Sequence, residues 1–511
     1  MKIIIVGGGI AGISTYLHLI KHLPPPPPPS PPHTIQIYES HDPRKKQQAE
    51  PSPLGPKQAS ASAPPLAPPP SAGPTNLNAL PAPATVPSAA GGGLGISPNG
   101  MRVLRALEPG LHAAVRAQGF VVERFVFKTS GNRVVADTAA VDGARKRPVV
   151  AVGGGRGGGG DEGAGEEKEE MMPREETVAS SRHGLWRCLR EAVKEEGVVV
   201  EGKRVSEVLV GEDERPVVRF ADGFADESAD MVVGADGVKS VVRKAVLGAA
   251  SPEPTYEGLV FVGGFTDRPV PSDASPHGPA MVFTFGPTGF FGYSGSAPGN
   301  SLMWWSTYEL PLETARAETN GARTKRRLQE RHGRWKDPVV RDLVEVVDVD
   351  PPYLSWTVPE LPAWGKGGVV LVGDAAHALQ STSGQGASQA FEDGLTLSLL
   401  LAHYLRKVYT QQQQQQQQSE SGAMSELEAV KLSARKLFEI RSPRTGEIAR
   451  TARKLDGGKK SHGPLFEIML FAFFWLVAKV PAIGKLLVGD RHEILFGWSA
   501  EREVKKAVEK E

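Results

Sequence analysis

Three glycines near the amino terminus are spaced for binding a dinucleotide. Gly7-x-Gly9-x-x-Gly12 follows the β-branched run Ile3-Ile4-Ile5-Val6 and precedes a helical pattern over 13–23. In such a turn the first glycine permits the tight bend, the second lets backbone approach a pyrophosphate, and the third lets helix and strand pack closely. Ala11 lies in the same turn, where the free N–H groups and positive partial charge of a helix start suit phosphates. The fingerprint also needs an acid at the end of the next strand for a ribose hydroxyl. Glu39 closes Ile35-Gln36-Ile37-Tyr38 and supplies it. It lies 27 residues beyond Gly12, or 18 once the nine residues 24–32 are set aside, near the usual spacing of about 20. The bland alternative is a glycine turn with no ligand, and the strand, helix and acid in their places argue against it. A second match, Val149 to Gly158, runs on into Gly and Glu without helical periodicity and reads as low complexity. A nicotinamide cofactor would therefore bind without a Rossmann domain of its own.

Further motifs follow in order. Arg182, with Leu185 and Leu189, begins a helical pattern. Asp236-Gly237 follows Met231-Val232-Val233 and runs through Ser240 to Arg243. Gly373-Asp374-Ala375-Ala376-His377 follows a strand over 369–372 and continues through Gly384-Gln385-Gly386-Ala387 to Glu392-Asp393-Gly394. Together these segments resemble the FAD-dependent aromatic-ring hydroxylases, the group A flavoprotein monooxygenases of the para-hydroxybenzoate hydroxylase fold. They look most like the salicylate- and urate-hydroxylase-like branch found widely in fungi. The resemblance spans about 3–450 with the low-complexity inserts set aside.

The resemblance implies one non-covalent FAD, held by Gly7, Gly9, Ala11, Gly12, Glu39, Arg182, Asp236, Gly237, Gly373, Asp374, Gly384, Gly386 and Ala387. It implies NADPH or NADH as co-substrate, with O2 and a small electron-rich substrate hydroxylated or epoxidised through a flavin C4a-hydroperoxide. It assigns no catalytic side chain and no metal. Asp374, at a strand end, can accept hydrogen bonds from ribityl hydroxyls. Gly384 to Gly386 open a helix whose N–H groups can face negative charge on a reduced ring. The family's proline near 381 is replaced by Gln380-Ser381-Thr382-Ser383. His377 reads better as a group that orients its motif than as a base. Of Trp304 and Trp305, one reads as core and one as sheet face. The Trp-x-Trp-x-Ile-Pro element of flavin halogenases is absent.

These motifs must be carried by an α/β scaffold: a Rossmann-like, GR2-type FAD-binding domain, an inserted and mostly antiparallel β substrate domain, and a helical carboxy-terminal segment. The expected division is 1–250 and 356–450 for the FAD-binding parts, 251–355 for the substrate sheet and 451–511 for the last segment. Gly 58 and Pro 43 make about a fifth of the 511 residues, well above ordinary usage of about 12%. The excess falls in tracts near 24–32, 45–90 and 143–170. Together with the glutamines 411–418, these tracts cannot bury enough apolar surface to fold, and read as loop insertions.

A net charge of +1 argues against a nucleic-acid partner. The single cysteine, Cys188, excludes an intramolecular disulfide and a cysteine-based zinc cluster. The short first apolar run is no secretory leader, so the expected place is intracellular and cytoplasmic. The apolar stretch from Ile468 towards Val488, broken by Lys479, Pro481 and Lys485, suits a packed or membrane-surface segment better than a span. Two other functions remain open on these residues: a flavin reductase or oxidase, and a catalytically silent FAD-binding protein.

Overall fold

The computed structural model describes residues 1–42, 92–142, 145–148, 169–172, 174–268, 278–297, 301–347, 349–415, 424–456, 469, 471–472, 476 and 495–510. Ile3, Ile4 and Ile5 are fully buried, because the strand Lys2–Val6 lies inside a sheet covered on both faces. That sheet runs in the order Val199–Glu201, Thr34–Glu39, Lys2–Val6, Met231–Gly234, Val369–Leu371 and Gly365–Lys366. Neighbours are parallel except the last pair. Ile4 pairs with Gln36 on one side and Val232 on the other. The chain thus leaves Lys2–Val6 towards one neighbour and returns much later on the other side. In open α/β sheets a ligand crevice forms beyond the carboxyl ends of strands at such a reversal.

The helix Ile10–His22 packs along the long helix Gly386–Gln415. A side chain at Gly394 would crowd the backbone of Thr15 at 3.2 Å, so close helix contact needs glycine there. The glutamine tract departs from expectation: Gln411–Gln415 continue the long helix. Glutamine is a fair helix former, and adding residues to a helix already formed avoids the cost of nucleation. The proline tract 24–32 is an irregular loop between the helix and the strand Thr34–Glu39. The ends of the glycine-rich tract also depart from expectation, since Arg145–Pro148 pairs with Glu169–Met172. Its interior 149–168, the tract 43–91 and most of 468–488 lie outside the described residues. Among the described residues no helix is long and apolar enough to cross a membrane.

A seven-stranded sheet runs in the order Tyr353–Thr357, Thr255–Thr266, Ser301–Glu309, Gly289–Ala297, Ala280–Gly286, Arg124–Thr129 and Val134–Ala139. It is antiparallel apart from the pair Ala280–Gly286 and Arg124–Thr129. It is not confined to 251–355, because two of its strands come from 124–139. Phe125 and Phe127 alternate with buried Val126 and Lys128, the period of a two-faced sheet strand. One face is buried under the helices Gly321–His332 and Pro338–Val346, around Phe291, Trp304, Tyr308, Leu328 and Leu343. Asp337 caps the second of these helices and accepts from buried Lys128 Nζ at 3.1 Å. A smaller sheet containing Gly93–Ile96, Glu175–Ser181 and Phe120–Val122 joins the two large ones.

Candidate functional site

The glycine turn sits at the carboxyl end of Lys2–Val6, and its glycines have different reasons to be glycine. Gly7 has φ +107°, and a Cβ there would lie 2.5 Å from the Ala235 carbonyl oxygen. A Cβ on Gly12 would lie 1.9 Å from the Gly7 carbonyl oxygen. Both are demanded by the protein's own packing. Gly9 has φ −77° and, among the described residues, no atom within 4 Å of its Cβ position. Gly386 is also open, so nothing among the described residues explains either glycine. Gly237 and Gly384 face open space too, in left-handed conformations.

The other motif residues converge on this turn. Glu39 Oε2 accepts from Gly8 N at 2.8 Å, and Oε1 accepts from His41 N at 2.7 Å. Glu39 therefore shapes the turn besides offering a carboxylate to a ribose. Glu39→Ala is expected to weaken FAD binding roughly tenfold or more, beyond a single lost ligand contact, because a charge-assisted bond to Gly8 goes as well. Glu39→Gln, which keeps an acceptor, should recover part of the affinity in a fluorescence titration with FAD.

Trp186, in the helix Arg182–Ala192, donates its indole N–H to the Gly8 carbonyl at 2.8 Å. Arg182 at the head of that helix is exposed, and its guanidinium makes no hydrogen bond or ion pair with the described residues. Asp236 is turned onto its own loop, where its carboxylate accepts from the Ser240 hydroxyl at 2.6 Å and from Val241 N at 2.7 Å. Burial pushes its carboxyl up, against the pull of these hydrogen bonds. The buried Arg243 donates to the carbonyls of Ala375 at 3.1 Å and Val238 at 2.8 Å. It thereby ties the Asp236-Gly237 loop to the Gly373-Asp374 loop.

Gly373 packs against Ala11, its Cβ position 2.9 Å from the Ala11 Cβ. Asp374 is half-buried at the head of the short helix Asp374–His377, and its carboxylate has no hydrogen-bond partner among the described residues. His377 is buried and points its Nε2 at Asp393 Oδ2, 2.5 Å away. Asp393 Oδ2 also accepts from Gly373 N at 2.9 Å. This is the orienting arrangement expected of His377. Gln385, between Gly384 and Gly386, donates to the Ser97 hydroxyl at 2.9 Å, which brings the segment after Gly93–Ile96 to the same place. Ala387 is half-buried in the first turn of the long helix. In the loop 380–383, Gln380 is buried with both amide atoms unpartnered among the described residues.

Sequence reasoning missed the ionic cluster beneath this loop. Arg441, fully buried on the helix Glu426–Asp456, reaches Asp393 Oδ1 at 2.8 Å and Glu392 Oε2 at 2.5 Å. Arg444 holds both oxygens of Glu392 at 2.7 and 2.9 Å, and Asn99 donates to Glu392 at 2.7 Å. Burial pushes both carboxyls up, but the surrounding cations more than reverse it. Arg444 and Arg441 lower Glu392, and His377 with Arg441 brings Asp393 to about 2. Among the described residues no group of His, Cys, Asp and Glu could hold a metal ion.

Comparison with known proteins bears on what this site holds. The family described as FAD binding domain matches residues 84–420. A chloroplastic zeaxanthin epoxidase from Solanum lycopersicum is 34% identical over 229 residues, covering 43% of this chain and 31% of that protein. The 6-hydroxynicotinate 3-monooxygenase of Bordetella bronchiseptica is 29% identical over 235 residues, covering 43% of this chain and 56% of that protein. The chain spans 31% to 43% of the length of the first zeaxanthin epoxidases it matches. Among solved structures, Klebsiella pneumoniae HpxO complexed with FAD and uric acid aligns with a TM-score of 0.61 at 17% identity, covering 99% of this chain and 95% of that one. A salicylate hydroxylase substrate complex aligns with a TM-score of 0.61 at 16% identity, covering 99% and 97%.

Proposed function

We propose, for a chain that belongs to the FAD-binding group A flavoprotein monooxygenases, that it is an NAD(P)H-consuming monooxygenase adding one oxygen atom to a small organic substrate. The observation that carries the reading is the pair Gly9 and Gly386, two glycines with no neighbour among the described residues to explain them, at the two helix starts that would meet a pyrophosphate and a flavin ring. The carboxylate of Asp374 and the amide of buried Gln380, both unpartnered among the described residues, fit the same group, since buried polar groups are ordinarily satisfied.

In this reading the six-stranded part binds the cofactor and the seven-stranded sheet receives the substrate. The backbone at Gly9 and the start of Ile10–His22 take the pyrophosphate, Glu39 a ribose and Asp374 the ribityl hydroxyls. Gly384 N and Gln385 N already donate to the Ser381 carbonyl at 3.3 Å and the Ser383 hydroxyl at 3.2 Å, so it is the start of the long helix at Gly386 that meets the ring and stabilises negative charge on it. Bound FAD supplies a ring that accepts hydride and, once reduced, activates dioxygen. Arg243 and the Glu392–Asp393–Arg441 cluster hold the two loops in place. The apolar sheet keeps water from the reacting atoms.

A cleft of about 380 Å³ beside the Asp236 loop, lined by Lys239, Lys244, Arg316, Trp356 and Glu253, would receive the reductant. Glu253 offsets Lys244 at 3.9 Å, and the remaining cations with the indole suit a phosphorylated nucleotide. NADPH oxidation by the FAD-loaded protein is expected to be slow alone and faster with a true substrate, with one atom of labelled O2 in the product. Label arriving from water, or full recovery of the oxygen as peroxide with every stimulating compound, would replace this reading with a reductase or oxidase. An intracellular, cytoplasmic place with surface attachment through 468–488 rests on the lone Cys188 and the apolar run of the sequence. Release of the protein from cell membranes by carbonate should confirm surface attachment, and retention would mean a true anchor.

A further inference from the structure

The face of the seven-stranded sheet turned away from its helices has an unusual composition. One register row across it reads Phe127, Phe283, Gly292, Trp305 and Gly263. The next row reads Thr129, Phe285, Phe290, Thr307, Phe261 and Tyr353. Two successive rows across the sheet thus contain no charged side chain.

Within the first row Trp305 is flanked by glycines on both neighbouring strands. A Cβ on Gly292 would lie 2.4 Å from the Trp305 ring, so the indole lies down across Gly292. Trp305 is half-buried, unlike the fully buried Trp304 beside it. Phe283 meets it edge-on at 6.0 Å, and Phe127 stacks on Phe283 at 5.3 Å. The result is a flat indole shelf with an aromatic wall.

This face is joined to the glycine turn of the long helix. Met303, on the same face and strand as Trp305, fills the space where a Gly93 side chain would be, 1.8 Å from its Cβ position. The strand Gly93–Ile96 leads directly to Ser97, the partner of Gln385.

We propose that the substrate is an uncharged, predominantly apolar, ring-bearing molecule that stacks on Trp305 over Gly292. This rests on the monooxygenase reading above. A ring carrying a carboxylate would have to leave water on a surface whose rows offer no cation, which is costly without a partner. An uncharged ring loses little and gains stacking on the indole.

The test is equilibrium dialysis of the FAD-loaded full chain against 2-naphthol, β-ionone and 2-naphthoate. The neutral probes are expected to bind at least about tenfold more tightly than the naphthoate. Trp305→Ala should weaken 2-naphthol about tenfold, and Trp305→Phe, which keeps a ring, should retain most of the affinity even if the alanine variant folds poorly. Equal or tighter binding of naphthoate overturns the proposal. So does the absence of saturable binding by both neutral probes, or unchanged affinity in a folded Trp305→Ala. Dialysis does not depend on turnover, and visible flavin absorbance of the same samples reports the cofactor. Failure of the monooxygenase reading would therefore be seen separately, in the labelled-oxygen experiment.

Discussion

Gly9→Val is expected to give a folded, colourless protein that excess FAD no longer turns yellow. The Cβ position of Gly9 meets no atom of the described residues within 4 Å, and its φ of −77° is open to any residue. The substitution therefore costs the apoprotein little, on the scale of about 1 kcal/mol for a changed helix cap. A branched side chain in that space would displace a pyrophosphate from the backbone. Affinity for FAD should fall at least about a hundredfold, or about 2.7 kcal/mol. Gly12→Val should behave oppositely, because its Cβ would lie 1.9 Å from the Gly7 carbonyl oxygen. That variant should lose soluble protein before cofactor binding can be measured. Thermal melting of the apoproteins and flavin absorbance after FAD is supplied separate the two. FAD binding by Gly9→Val at wild-type strength would refute the cofactor placement. A collapsed melt for Gly9→Val would refute the claim that its space is kept for a ligand.

The sequence made the fingerprint legible because its constraints are local. A strand, three glycines, a helix start and an acid fall within forty residues once the proline loop is subtracted, and the structure brings Gly8 and Glu39 into contact. The split of Trp304 and Trp305 between core and open face followed from strand alternation alone. Other features depend on pairings between distant segments. Phe125 and Phe127 show alternation, but nothing in 124–129 says that their partner is a parallel strand at 280–286. Asp236 reads as a ligand from its motif, yet its carboxylate closes its own loop through Ser240 and Val241, a choice decided by backbone geometry. Gln411–Gln415 look unfoldable as composition and fold as the end of an existing helix. Arg441, Glu392 and Asp393 lie on two helices far apart in sequence, and single-sequence periodicity carries no information about which buried charges meet.

That buried cluster makes the second large expectation. Arg441→Met should destabilise the protein by about 3–5 kcal/mol, because removing one partner from a buried ionic group strands the others. Glu392 would keep Arg444, whereas Asp393 would keep His377 and the Gly373 N–H. The pH dependence should also become weaker. In the wild type both carboxyls are held below their ordinary range, Asp393 at about 2. The folded state then binds fewer protons than the unfolded state between the folded values and the ordinary carboxylate pKa of about 4. The stabilisation is complete above that range and is lost as pH falls towards 2. Without Arg441 the downward pull on Asp393 is smaller, with His377 remaining, so the variant has less of this stabilisation to lose on acidification. The stability gap between the two should therefore stay constant from pH 7 to about pH 5 and narrow as pH falls from there towards 2 in denaturant titrations. Asp393→Asn added to Arg441→Met should recover part of the loss, as coupled neighbours do. Because Asp393 also accepts from Gly373 N, the single variant should bind FAD more weakly as well. A gap below about 1 kcal/mol, or one that stays constant as pH falls towards 2, would mean that the cluster does not hold the Asp374 loop through its charges, and that packing of Arg441 against Trp498 at 4.6 Å carries its role instead.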